Sequence, residues 1–108
     1  MERLFVYGSL QPGGSNEHIL ADMKGEWKPG FVKGKLLKKG WGSAIGYPGL
    51  ILDETEDEVS GYVFTSEKLS DKWDFLDKFE GEEYERKVTT VYLNDGEQVK
   101  AYVYAARK

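Results

Sequence analysis

The alternation of apolar and polar residues along the chain predicts mostly short β-strands. The apolar run at 4–7 is followed by glycine and serine, which is typical of a buried strand that ends in a turn. Further stretches with strand-like patterns lie at 31–37, 50–52, 59–65, 87–93 and 98–105. Between the last two, the sequence Asn-Asp-Gly-Glu at 94–97 is typical of a hairpin turn. The pattern therefore predicts five or six strands, the final two forming a hairpin.

Two other segments have the sequence patterns of helices. Asn16 can cap a short helix after the first strand. Ser66 and Ser70 are both suitable N-caps for a second helix that runs to about Phe79. Gly81 then occupies the position where glycine commonly ends a helix. Strands with two helices in so short a chain predict a compact α+β domain, whose small sheet curls or closes into a barrel and so avoids open edges.

Length and composition limit the possible function classes. A chain of 108 residues predicts one domain spanning 1–108. The net charge of -4 disfavours nucleic-acid binding, which needs clustered cations. With no cysteine and one histidine, disulfides, thiol chemistry and Cys- or His-rich metal sites are excluded. The acidic run at 53–58 is more typical of a solvated turn than of a metal site. Since no membrane-length apolar stretch or signal-peptide pattern is present, we expect a cytoplasmic protein.

The second predicted helix carries one carboxylate among its apolar residues. At about 100° per residue, the residues that face the core are Leu69, Trp73, Phe75, Leu76 and Phe79. Glu80 falls in the middle of this stripe, at the end of the helix. Apolar surroundings and the negative end of the helix dipole both raise the pKa of a carboxyl group, here towards a value useful for proton transfer. The alternative is that the helix frays at Phe79 and Glu80 points into water.

The turn after the first strand and the segment after the second helix are further candidates for a binding site. The turn residues are Tyr7, Gly8, Ser9 and Leu10. Backbone amides in such a turn can converge on a carboxylate or an oxyanion, although an ordinary strand-ending turn has the same pattern. Ser9 lacks a base that could activate it, because His18 is the only histidine. Tyr84 could line a pocket and Arg86 could pair with a carboxylate, or both could simply begin a strand.

Short motifs along almost the whole chain, in this order and spacing, resemble the γ-glutamylcyclotransferase-like superfamily. In chain order they are Phe-Val-Tyr-Gly-Ser-Leu at 5–10, Asn-Glu-His-Ile-Leu at 16–20, Gly-Tyr-Pro at 46–48, Val-Ser-Gly-Tyr-Val-Phe at 59–64 and Leu-Asp-Lys-Phe-Glu-Gly at 76–81. Tyr84 and Arg86 follow the last motif. The Leu-Asp-x-Phe-Glu and Tyr-x-Arg elements are most similar to the γ-glutamylamine cyclotransferase branch.

This resemblance implies a fold, a site and a reaction. The implied fold is a small mixed β-barrel of five to six strands with two short flanking helices. The backbone amides of Gly8, Ser9 and Leu10 would hold the α-carboxylate of a γ-glutamyl group. Glu80 would take a proton from the substrate's α-amino group, which attacks the γ-carbonyl and releases 5-oxoproline, and would then give a proton to the departing amine. The remaining substrate-binding residues implied are Tyr7, Tyr47, Pro48, Tyr84 and Arg86.

Because the substrate supplies its own nucleophile, the resemblance implies no cofactor and no metal. The expected partner is a small γ-glutamyl substrate, with no nucleic acid and no membrane, and the protein is expected to be a monomer or a weak homodimer. Gln11 stands where the glutathione-specific branch tends to carry tryptophan, so glutathione is a less expected substrate. Glu82, Glu83 and Glu85 leave open which carboxylate enters the pocket.

Two other functions remain open from the sequence. A domain of this fold can bind a small carboxylate without turning it over, because fold alone does not determine function. It can also act as a protein-interaction domain through the aromatic, glycine-rich loop at 41–48. The carboxylate at 80 is the feature that favours an enzyme over both.

Overall fold

The computed structural model describes residues 2–8, 12–14, 17–21, 23–37, 49–81 and 84–106. The elements in chain order are β1 (Glu2–Val6), α1 (His18–Ala21), β2 (Glu26–Leu37), β3 (Gly49–Leu52), β4 (Glu58–Ser66), a 3₁₀ helix (Glu67–Asp71), α2 (Trp73–Glu80), β5 (Tyr84–Leu93) and β6 (Gln98–Ala106). No helix within the described ranges is long and apolar enough to cross a membrane.

Five of the strands close into a small barrel, as predicted. The strand order is β3-β2-β4-β1-β6-β5, and an additional pairing of β2 with β5 closes the ring. The sheet is mixed because β1 runs parallel to β6, whereas the other pairings are antiparallel. Strand β3 lies outside the ring and pairs with the end of β2, from Gly34 onwards. The helices complete the predicted α+β fold.

Alternating residues of the strands divide the core into two clusters. In β1, Phe5 belongs to one cluster, while its neighbours Leu4 and Val6 belong to the other, as expected where successive side chains point to opposite faces. The cluster around Phe5 consists of strand residues only and fills the barrel. The cluster around Leu4 includes Leu20 and Leu76, so it attaches both helices to the outside of the barrel. The helices are therefore held by apolar contacts with the β1 and β6 side of the ring.

Strand β2 is longer than the sequence pattern predicts. It begins at Glu26 rather than at 31 and continues through Gly34 to Leu37. Pro29 can form part of the strand because its carbonyl remains available and accepts a hydrogen bond from the Asn94 amide at 3.1 Å. Gly34 marks a change of partner rather than a break, since β2 pairs with β4 up to Lys33 and with β3 beyond it.

The second helical segment begins differently from the prediction. Ser66 caps a 3₁₀ helix, accepting a hydrogen bond from the Lys68 amide at 3.1 Å, and α2 starts only at Trp73. The assignment of Phe75 to the core-facing stripe is wrong, because its side chain is 53% exposed. Counted from Trp73, Phe75 lies about 200° around the helix, which places it on the far side. Gly81 ends the helix, as predicted, with a φ of 89°, a positive value that glycine adopts readily.

Candidate active site

Glu80 is the last residue of α2, and the helix does not fray before it. The Gly81 amide donates to the Asp77 carbonyl at 3.2 Å and keeps the last turn closed. The side chain of Glu80 is half-buried, and burial raises the pKa of its carboxyl group from 4.5 to about 7. The direction of this shift confirms the expectation from the apolar face of the helix. A carboxyl group with this pKa can both accept and donate a proton near neutral pH.

Two tyrosine side chains, Tyr7 and Tyr104, lie near enough to this carboxyl group to interact with it electrostatically. Burial raises the pKa of the Tyr7 hydroxyl well above its ordinary value, and Tyr84 and then Glu80 add to this effect. Burial also raises the pKa of the Tyr104 hydroxyl, with further contributions from its hydrogen bond to Asp77 and from Glu80. Because Glu80 acts electrostatically on Tyr7 and Tyr104, and Tyr84 acts on Tyr7, the fold gathers these four side chains. Three of them, Tyr7, Glu80 and Tyr84, are predicted site residues.

Tyr7 follows β1 directly, at the end of the barrel where the predicted binding turn begins. Its hydroxyl donates to the Tyr104 carbonyl at 2.7 Å and joins the ends of the parallel strands β1 and β6. Gly8 comes next and lies in a bend, half-buried. Four predicted site residues lie outside the described residues: Ser9, Leu10, Tyr47 and Pro48.

A polar network ties α2 to the β5–β6 hairpin beside Glu80. The Tyr104 hydroxyl donates to Asp77 Oδ1 at 2.6 Å, and Arg86 Nε lies 3.4 Å from the same oxygen. The Arg86 guanidinium lies 4.5 Å from the centroid of the Trp73 ring and 5.2 Å from that of Tyr102. The carboxylate that Arg86 pairs with in this structure is therefore a side chain of the protein itself.

Asp77 and Tyr104 belong to this network but are not among the site residues predicted from the sequence. A signal for Tyr104 was present in the predicted hairpin. The turn at 94–97 sets a register in which Arg86 and Tyr104 are direct cross-strand partners. No comparable signal existed for Asp77, because its contacts depend on how α2 lies across the hairpin.

Three further glutamates, at positions 82, 83 and 85, follow Glu80 closely in the sequence. Glu85 is half-buried and forms an ion pair with Lys87 at 3.7 Å. Glu82 and Glu83 lie outside the described residues.

The acidic run at 53–58 forms an exposed turn in which the Thr55 amide and hydroxyl both donate to Asp53, at 2.9 and 2.7 Å, and lower the pKa of its carboxyl group. Its geometry agrees with the prediction of a solvated turn.

Two concave surfaces among the described residues do not include this carboxyl group in their walls. A groove of about 610 Å³ runs along α1, the 3₁₀ helix and α2, and Lys68, Lys72, Phe75 and Phe79 contribute to its walls. A smaller hollow of about 190 Å³ lies beside β1, β5 and β6. Glu80 lines neither of them. The candidate site is therefore defined by Glu80 and the tyrosines around it.

Comparison with solved structures supports the fold. An AIG2-like protein from Mus musculus has a TM-score of 0.76 and 24% sequence identity, over 98% of this chain and 77% of that one. A protein from Arabidopsis thaliana has a TM-score of 0.74 and 27% identity, over 97% and 68% of the two chains. A gamma-glutamyl cyclotransferase has a TM-score of 0.76 and 20% identity, over 99% and 67%. A comparison with curated proteins gave no significant match.

The sequence itself gives the family. The family model described as "Gamma-glutamyl cyclotransferase, AIG2-like" matches residues 4–108, from the first strand through the last. The match includes the turn after β1, the end of α2 with Glu80, and the β5–β6 hairpin. The chain belongs to the AIG2-like gamma-glutamyl cyclotransferase family.

Proposed function

We propose that the protein is a γ-glutamylamine-type cyclotransferase, which converts a γ-glutamyl amine into 5-oxoproline and a free amine or amino acid. The substrate's α-amino nitrogen attacks its own γ-carbonyl carbon, and a new C–N bond closes the five-membered ring. The bond from the γ-carbon to the leaving nitrogen breaks. The proton lost by the α-amino group ends on the leaving amine, so the reaction needs a group that first accepts and then donates one proton.

The raised pKa of Glu80 is the observation that carries this proposal. With a pKa of about 7, the carboxyl group is present in both protonation states at neutral pH. An ordinary surface glutamate is almost fully ionised there and is a poor proton donor. Glu80 is therefore suited to act as general base in ring closure and as general acid when the amine leaves.

The remaining acceleration comes from holding the substrate folded. Intramolecular ring closure benefits strongly when the reacting atoms are held in contact. In the proposed complex, the amides of Gly8, Ser9 and Leu10 bind the α-carboxylate, and Tyr7 and Tyr84 lie beside the γ-glutamyl group. We assign Tyr47 and Pro48 to the same proposed substrate-binding residues. Because the nucleophile and the leaving group both belong to the substrate, the proposed reaction involves no cofactor.

Replacement of Glu80 tests the proposal directly. We expect Glu80→Gln to lower kcat/KM by at least about 100-fold, the usual contribution of a general acid–base residue. The assay measures 5-oxoproline released from a panel of γ-glutamyl amines, including γ-glutamyl-lysine isopeptides and γ-glutamyl dipeptides. Glu67→Gln is the matched control, because Glu67 is exposed at the start of the 3₁₀ helix. Equal activity of Glu80→Gln and wild type would rule out the role given to Glu80.

The pH profile provides a second readout of the same role. As the base must be ionised, kcat/KM of the wild type should rise with pH and level off above about 7.

If the wild type binds 5-oxoproline but turns over no member of the panel, the protein is instead a small-carboxylate-binding domain of the same fold.

A further inference from the structure

We propose that Arg86 is a positioning residue that acts through Asp77, and that together with Tyr104 it holds the end of α2 against the β5–β6 hairpin. The proposal concerns the same site and rests on the proposed function for its kinetic readout. It assigns Arg86 a role different from the one that the family resemblance implies, which is direct contact with the substrate.

The Arg86 side chain is held between aromatic rings and a carboxylate. Its guanidinium lies over the rings of Trp73 and Tyr102, and its Nε faces Asp77 Oδ1 at 3.4 Å. The side chain is 27% exposed. A planar guanidinium that is stacked on rings and directed at a carboxylate is held in one orientation, which is the arrangement arginine favours in structural ion pairs.

Asp77 connects α2 to both strands of the β5–β6 hairpin. One oxygen of Asp77 faces donors from two strands, Arg86 Nε on β5 and the Tyr104 hydroxyl on β6. Glu80 follows Asp77 by three residues, so both side chains project from the same side of the helix. A restraint on Asp77 therefore restrains the turn that carries Glu80.

Tyr104 contacts both α2 and the residue at which the predicted binding turn begins. Its hydroxyl donates to Asp77, while its carbonyl accepts from the Tyr7 hydroxyl at 2.7 Å. Through this one residue, the end of α2 and the start of the binding turn share a reference point on β6. Displacement of Asp77 would alter the distance between Glu80 and the turn, and small misplacements of a reacting group can cost large factors in rate.

The kinetic test separates positioning from substrate binding. We expect Arg86→Gln and Asp77→Asn each to lower kcat between about 10- and 100-fold while KM changes less than about 3-fold. We also expect kcat of the double variant to be no lower than that of the less active single variant, because both substitutions break the same interaction between Arg86 and Asp77. Lys87→Gln, which removes a neighbouring exposed cation on β5, should match the wild type. A large rise in KM for Arg86→Gln, with Asp77→Asn near wild type, would overturn the proposal in favour of substrate contact.

A titration of Glu80 tests the proposal without any activity. The carboxyl carbon of Glu80 is followed by NMR in the wild type, Arg86→Gln and Tyr104→Phe, with circular dichroism to verify folding. Loss of a positive charge alone would leave the pKa of Glu80 unchanged or raise it. Loss of the restraint admits water and lowers it from about 7 towards 4.5. A lowered value in both variants supports the proposal, and an unchanged or raised value in either refutes it.

These readouts also distinguish the two proposals from each other. If the wild type turns over no γ-glutamyl amine of the panel, the proposed function fails, whereas the titration still decides the role of Arg86. If Glu80→Gln is inactive and Arg86→Gln changes only KM, the proposed function stands and the positioning role fails.

Discussion

At the scale of single residues, Glu80 carries a group whose neutral form is favoured by folding. Burial raises the pKa of its carboxyl group from 4.5 to about 7. The folded protein therefore binds more protons than the unfolded chain between these two pH values. The stability linked to Glu80 is fully present below pH 4.5 and is lost as pH rises through 7. At neutral pH and above, this residue lowers the stability of the fold.

We predict that Glu80→Gln removes this dependence on pH. The free energy of unfolding of the wild type, relative to that of the variant, should rise by about 2–3 kcal/mol from pH 8 to pH 5. Urea unfolding of both proteins at the two pH values measures the difference, and the remaining carboxyl groups cancel in the comparison. Glu67→Gln serves as the control, since Glu67 is exposed. If the difference in the free energy of unfolding between wild type and Glu80→Gln is the same at both pH values, burial does not shift the pKa of Glu80.

Glu80 and Asp77 show how far single-residue reasoning extends. The position of Glu80 followed from helix periodicity, because one helix is enough to decide which of its faces is apolar. Asp77 lies on the same helix, yet its role depends on Arg86 and Tyr104, which come from two strands far along the chain. Periodicity describes one element at a time, so contacts between elements are not contained in it. The family resemblance named Arg86 but not the side chain that it contacts.

At the scale of elements, the segment from 66 to 80 is helical as predicted, but it is divided into a 3₁₀ helix and an α-helix that starts only at Trp73. The sequence offered two caps, Ser66 and Ser70. The structure uses Ser66, whose hydroxyl accepts from the Lys68 amide and donates to the Lys24 carbonyl at 2.5 Å. Ser70 is exposed and donates to the Glu67 carbonyl at 3.1 Å. The cap position of α2 is Lys72, without a side-chain hydrogen bond.

These environments predict different effects of removing the two hydroxyls. Ser66 is 1% exposed, and Ser66→Ala leaves the Lys68 amide and the Lys24 carbonyl without its hydroxyl as a partner. We expect the free energy of unfolding to fall by about 1–3 kcal/mol. Ser70→Ala should change it by less than about 0.5 kcal/mol. Urea unfolding at constant pH measures both. Equal effects of the two substitutions would contradict the assignment of Ser66 as the cap.

At the scale of the whole molecule, the sequence predicted the barrel but not the place where it closes. The strands and the final hairpin followed from alternation and turn residues. Closure depends on the pairing of β2 with β5, at Gly30 with Leu93 and at Phe31 with Tyr92. The pattern-based prediction began the strand at Phe31 and so placed Gly30 outside it. Its function becomes visible only in the closed ring, where a Cβ atom at this position would lie 2.7 Å from the Tyr92 carbonyl oxygen.

Gly30→Ala should therefore weaken the ring at the β2–β5 seam. A methyl group at position 30 would collide with the Tyr92 carbonyl oxygen and the Leu93 Cα atom. These are backbone atoms and cannot rotate away as a side chain can, so β5 must shift. We expect a loss of about 1–3 kcal/mol in the free energy of unfolding. Hydrogen exchange should accelerate most at the Asn94 amide, which donates to the Pro29 carbonyl across the seam. Lys28→Ala, at an exposed position of β2, is the control. If the exchange rate of the Asn94 amide and the free energy of unfolding of Gly30→Ala both match those of the wild type, the barrel can close with a side chain at position 30, and the prediction is wrong.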